Sequence, residues 1–149
     1  IKAGDQLSVE GQFRSFNEHN GIKNKLRVQV FATEIYGGEE IFNKNEIFLD
    51  GYLCKNPGYR KTPLGREVAD LLLAVNRPYG KSDYIPCICW GRNARYADSL
   101  EVGCHVKLYG RVQSREYLKK LDENTQEFRT AYEVSIMKLE VITDEEQSD

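Results

Sequence analysis

Tyr84-Ile85-Pro86-Cys87-Ile88-Cys89-Trp90-Gly91, read as a strand, has two unlike faces. Side chains alternate along a strand, which puts Ile85, Cys87 and Cys89 on one side and Tyr84, Pro86, Ile88 and Trp90 on the other. The first set is small and apolar and suits a core. The second carries two aromatic rings six residues apart, roughly 20 Å at about 3.3 Å per residue, which is room for more than one stacked base. Arg77, Lys81, Arg92 and Arg95 flank the stretch, with Asp83 and Asp98 nearby against them. Rings interleaved with cations suit single-stranded nucleic acid. Its bases offer flat faces worth roughly 1–3 kcal/mol each on an aromatic, and its phosphates need positive charge. The competing reading gives Tyr84 and Trp90 a place in a second small core.

Charge along the chain supports the first reading. The whole chain carries a net charge of −2. Between Gly51 and Lys120, however, thirteen Lys and Arg stand against six Asp and Glu, while the remainder has eight against seventeen. Positive charge is gathered where the aromatics are, as a groove that tracks phosphates requires.

The 149 residues suffice for one well-buried domain, or for a small domain and part of another. No apolar run is long enough to span a membrane, and the N-terminus lacks the layout of a signal peptide, so a cytoplasmic protein is expected. Beginning at Ile1 rather than Met, the chain is expected to be a fragment or a processed product. Cysteines at 54, 87, 89 and 104 form no C-x-x-C pair and His19 and His105 lie far apart, which argues against a zinc site. Cys87 and Cys89 are expected to be reduced core thiols. No catalytic triad or paired carboxylates stand out, so no catalytic site is expected.

The order of elements outward from residues 84–90 sets the fold class. Leu7, Val9, Gly11 and Phe13 alternate as a strand; Asn17 to Lys25 is a polar turn containing Asn20-Gly21; Leu26, Val28 and Val30 form the second arm of a hairpin. Residues 36–44 read as a linker. Ile47, Leu49, Gly51 and Leu53 then alternate in a strand, followed by turn signals at Asn56-Pro57-Gly58 and Thr62-Pro63-Leu64-Gly65. The apolar run from Arg66 to Arg77 permits a helix, but the turns around it favour a strand. Ala94, Ala97 and Leu100 recur at helical spacing, with Gly103 as the stop. Val106 to Tyr117 forms a fourth strand and Tyr132 to Lys138 a fifth, with the charged stretch 119–130 between them. Five strands with a helix between the third and fourth predict an all-β OB-fold, a Greek-key barrel whose face and loops bind oligonucleotides.

An internal repeat explains the front of the chain. Gly4, Gly11 and Ser15 lie 99 positions before Gly103, Gly110 and Ser114, and Leu26, Val28, Val30 and Glu34 lie 106 positions before Tyr132, Val134, Ile136 and Glu140. The seven-residue difference is assigned to the turn. The expected organisation is therefore a partial OB-fold over 1–35 (its strands four and five), a linker over 36–44, a complete OB-fold over 45–142 and a short acidic tail over 143–149.

Five separated segments carry a family resemblance: Asn45 to Gly51, Tyr59 to Gly65, Leu73 to Arg77, Asp83 to Gly91, and Tyr109 to Tyr117. In that order they resemble the bacterial single-stranded DNA-binding protein family. The resemblance implies wrapping of single-stranded DNA without sequence preference, no cofactor, association with the bacterial nucleoid, and an assembly presenting four OB domains. Carried over position by position, stacking aromatics fall on Tyr79, Tyr84, Trp90 and Tyr117. Cations fall on Arg60, Arg77, Arg92 and Arg115, with Lys61, Arg66, Lys81 and Arg111 beside them. The family's usual long acidic tail with a hydrophobic tip is not matched by Thr143 to Asp149, so recruitment of replication or repair proteins by that route is not expected. The half repeat implies a parent with two OB units per chain and a homo-oligomer of dimer size or larger. The alternatives are a primosomal replication protein on the same fold, acting in replication restart, an OB-fold nuclease, disfavoured by the acid-poor cleft, and a pure assembly module.

Overall fold

The structure is a computed structural model that describes residues 2–20, 23–40 and 42–143. Two compact units make up the chain, Ile1–Asn45 and Glu46–Asp149.

The first unit is a long antiparallel hairpin of β1 (Ser8–Asn20) and β2 (Lys23–Tyr36). The strands run further than the apolar alternation that revealed them. Asn17 to Asn20 continue β1, where a turn was expected, because backbone ladder bonds need no apolar alternation. Gly21 of that expected turn lies outside the described residues. The segment read as a linker folds back on the hairpin. A 3-10 turn at Gly38–Glu40 brings Phe42 beside β1, where the Ser8 hydroxyl donates to the Phe42 carbonyl and accepts from its amide, both at 2.8 Å. The Phe42 ring meets Tyr36 edge-on at 5.4 Å.

The second unit contains β3 (Ile47–Leu53), β4 (Gly58–Lys61), β5 (Glu67–Asn76), β6 (Ser82–Trp90), α1 (Arg92–Asp98), β7 (His105–Lys120) and β8 (Gln126–Ile142). The sheet runs β3-β7-β8-β6-β5-β4, and β3 pairs with β5 as well, so the five long strands close on themselves in the OB-fold order. The run between Arg66 and Arg77 forms strand β5 (Glu67–Asn76), as its flanking turns implied. The apolar faces of these strands meet inside: Leu53, Leu71, Leu73, Ile85, Cys87, Cys89, Val106, Leu108, Val134 and Ile136 are all buried. Ala94 and Ala97 seat α1 against them.

Three sequence expectations change in this unit, and one residue's burial is new. Gly58–Lys61, read as part of a turn, is the edge strand β4, too short and polar to show a period. Gly103 does not end α1; Ser99 caps it, and Gly103 sits at φ 93° in the next turn, donating to the Leu53 carbonyl. The stretch 119–130 is mostly strand, with β7 and β8 joined through residues 121–125. Ile88, on the outward side of β6, is as buried as the core residues.

The two hairpins share a construction. Register shifts occur at Glu10/Gly11 and Tyr109/Gly110, 99 positions apart. At each, a Cβ on the glycine would lie 2.1 Å from a partner carbonyl, Phe31 O for Gly11 and Ser135 O for Gly110. No other residue fits such an approach. Phe31 and Ser135 are 104 positions apart, and Phe13↔Val30 corresponds to Val112↔Val134. The second strands are therefore offset by 104 rather than 106, and the turns differ by five residues rather than seven. A two-residue slip preserves the faces, so alternation alone could not detect it.

Candidate nucleic-acid interface

Register carries the outward set of β6 across the sheet. Trp90 lies opposite Val68 of β5, and Val68 opposite Arg60 of β4. In the other direction Ile88 lies opposite Ser135 of β8, and Ser135 opposite Arg111 of β7. Paired residues share a face, and the face recurs every second residue. Arg60, Tyr84, Trp90, Arg111, Arg115 and Tyr117 therefore occupy one side of the sheet. Three of the four expected stacking residues and three of the expected cations come together there from three strands, β4, β6 and β7.

Within this face the rings differ in setting. Tyr84 is exposed, and Trp90 is half-buried with the Arg66 guanidinium 5.0 Å from its ring centroid. Tyr117 is half-buried on the outer part of β7. Tyr79 sits apart, fully exposed on the 3-10 turn Pro78–Gly80 at the tip of the β5–β6 hairpin. Its φ of 73° is left-handed, a conformation that costs a non-glycine residue about 1–3 kcal/mol and persists only where neighbours enforce it. Across the hairpin Arg77 grips Asp83 through two nitrogens, Nε to Oδ2 at 2.8 Å and Nη2 to Oδ1 at 2.6 Å. The Arg77 amide also donates to the Lys81 carbonyl at 2.6 Å.

The cations divide into two groups. Arg60, Arg77 and Arg115 are held by carboxylates: Arg60 by Asp70 at 3.3 Å, Arg77 by buried Asp83, and Arg115 by buried Glu133 at 2.8 Å. Hydrogen bonding to those carboxylates pushes the Arg77 and Arg115 pKa values above the usual arginine value, so both stay charged. Lys81, Arg92 and Arg111 are exposed and make no ion pair among the described residues. Of the two groups, only the second meets a phosphate without first sharing a partner.

Sequence reasoning overlooked Glu133 and the placing of Arg66. Arg77 and Asp83 are six apart across one hairpin, so alternation could have suggested their pairing. Arg115 and Glu133 are eighteen apart on two strands, and no local signal links them. Burial pushes the Cys87 thiol far up and the Cys89 thiol up to about 12, so neither supplies a thiolate. Among the described residues no three His, Cys, Asp or Glu are grouped to hold a metal ion, and no helix is long and apolar enough to cross a membrane.

The model of the Single-strand binding protein family matches residues 44–142. Single-stranded DNA-binding protein 3 of Listeria innocua is 40% identical over 80 residues, covering 49% of this chain and 50% of its own length. Single-stranded DNA-binding protein A of Bacillus subtilis is 39% identical over 80 residues, covering 49% of this chain and 46% of its own length. The chain thus spans about half the length of these curated relatives. Among solved structures, the wild-type single-stranded DNA binding protein from Thermus aquaticus superposes with a TM-score of 0.72 at 29% identity, covering 96% of this chain and 62% of that one. Its deletion mutant bearing R190A gives 0.77 at 26%, covering 97% and 63%.

Proposed function

The chain belongs to the single-strand binding protein family, and from that premise we propose that it binds single-stranded DNA without sequence preference, as a binding protein rather than an enzyme. The observation that carries the proposal is the outward face of β6. Tyr84 and Trp90 lie there in one row, with Arg60 and Arg66 toward one edge and Arg111, Arg115 and Tyr117 toward the other. Bases stack on the rings, phosphates run past the cations, and nothing in the set distinguishes one base from another. Tyr79 extends the path beyond the hairpin tip, and Lys81 and Arg92 add exposed charge. Protection of exposed strands during replication, recombination and repair is the role that suits this chemistry. The named relatives favour it over the primosomal reading.

Replacing both Trp90 and Tyr84 by Ala should weaken binding of a labelled oligo(dT) by roughly 2–6 kcal/mol, at about 1–3 per stacked base, with the fold intact. Equal-length duplex should bind far more weakly than single strands. Unchanged affinity in a folded double variant would return both rings to the core reading.

The front hairpin completes the proposal. With its glycine bulge matching that of β7–β8, it corresponds to the last two strands of a second OB unit, and it supports a homo-oligomer in which a second copy covers its apolar face.

A further inference from the structure

Glu133 is a charged side chain with almost no contact with water. Among the described residues its carboxylate is held from β7: Gln113 Nε2 donates to Oε2 at 3.1 Å, and Arg115 Nε donates to Oε1 at 2.8 Å and to Oε2 at 3.1 Å. Burying a carboxylate is costly, and an apolar residue would serve β8 at least as well for stability alone. What the burial secures is the attitude of Arg115. Glu133 uses the Nε of that guanidinium, leaving its two terminal nitrogens at the end of a side chain that is 43% exposed. Arg77 is the contrasting case. Asp83 takes both Nε and Nη2, and the side chain is 25% exposed, so less of its fork remains for another oxyanion.

We propose that Glu133 is a positioning residue for DNA: it holds Arg115 so that the terminal nitrogens receive a backbone phosphate of the strand stacked along Tyr84 and Tyr117. The inference rests on the single-stranded DNA reading of this face. A planar guanidinium fixed at one edge presents its opposite edge already oriented, so less side-chain entropy is lost on binding. The upward shift of the Arg115 pKa agrees with a pair that keeps its charge separation.

Charge alone and positioning predict opposite signs. Removing a negative charge beside a phosphate path should tighten binding if Glu133 acts only through its field. If it positions Arg115, binding should weaken. The experiment titrates labelled oligo(dT) at several salt concentrations with the full chain, Glu133→Gln, Arg115→Ala, the double variant and Arg115→Lys. Arg115→Ala should weaken binding about tenfold, the worth of one charge-assisted contact, and reduce the salt slope by about 0.7. Glu133→Gln should weaken it about threefold to tenfold, and the double variant should be no worse than Arg115→Ala alone. Arg115→Lys keeps the charge but cannot be held at one nitrogen while offering two others. It should lose most of what Ala loses, and it decides the matter if Glu133→Gln does not fold. Tighter or unchanged binding in folded Glu133→Gln, multiplying effects in the double variant, or full binding by Arg115→Lys would each overturn the inference. Absence of oligo(dT) binding by the unaltered chain would instead overturn the underlying reading, and this inference with it.

Discussion

Val9 and Leu108 hold equivalent places in two hairpins of one construction, yet Leu108 is 4% exposed and Val9 41%. The same contrast runs along both strands: Val106 is 0% against 40% for Leu7, and Val134 is 0% against 54% for Val30. Local architecture is shared down to the glycine whose absent side chain lets a carbonyl approach. Burial is not. A hairpin's register and bulge are therefore written in its own residues, whereas the use of its apolar face depends on strands supplied from elsewhere. In the second unit β3, β5 and β6 supply them.

Assembly gives the largest test of this contrast. Each half-open Leu or Val on the front hairpin forgoes on the order of 1 kcal/mol of burial, and a two-fold dimer is the commonest way to recover it. The 149-residue chain should scatter light as a dimer or larger at micromolar concentration. A monomer would break the contrast by showing that this face tolerates water.

Next in size is a paired truncation. Leu108→Ala should destabilise the second unit by about 2–5 kcal/mol, while Val9→Ala should change its thermal unfolding by less than about 1 kcal/mol. Equal effects would mean that the two hairpins melt in one cooperative transition.

The smallest effect is a dependence on pH carried by a buried thiol of the second unit. All four cysteines lie in the second unit. Folding raises the Cys87 thiol far above its ordinary 9.0, with burial as the main cause. A raised folded pKa means that the folded chain keeps a proton which the unfolded chain releases. The stabilisation is therefore complete below pH 9 and is lost as pH rises toward the folded value. At pH 10 the loss from Cys87 should be about 1.4 kcal/mol. Thermal unfolding at pH 8 and pH 10 should show a shallower pH dependence in Cys87→Ala than in the parent chain; equal slopes would show that the thiol is not the titrating group.

What the sequence disclosed follows the same division between local and distant causes. Alternation found the long strands with one apolar face, except that β5, whose apolar run also permitted a helix, was read from its flanking turns, and the alanines at 94 and 97 marked α1. It missed β4 and the outer reaches of β7 and β8, where residues such as Arg60, Lys119 and Gln126 are solvated and leave no period to detect. It placed Tyr84 and Trp90 on one side of β6 correctly but could not show that Ile88, on that same side, is buried, since covering by distant residues does not show in a single strand. Matching residue types gave an offset of 106 where hydrogen bonding gives 104, because both leave the same side chains inward. The cations were countable; their ownership by Asp70, Asp83 and Glu133 was not.

Arg66 over Trp90 has a bearing on the protein between encounters with its ligand. An indole left bare for any base would also be open to any other flat apolar surface, and contiguous exposed apolar surface invites self-association. A guanidinium resting over the half-buried ring occupies that face with a charged group, at an attraction of about 0.5–1 kcal/mol for a pair open to solvent. That is weak enough for a stacking base, worth about 1–3 kcal/mol, to displace it. On the proposed reading the displaced arginine is then already beside the incoming strand, so the group that covers the ring between encounters would become one of those that hold the DNA.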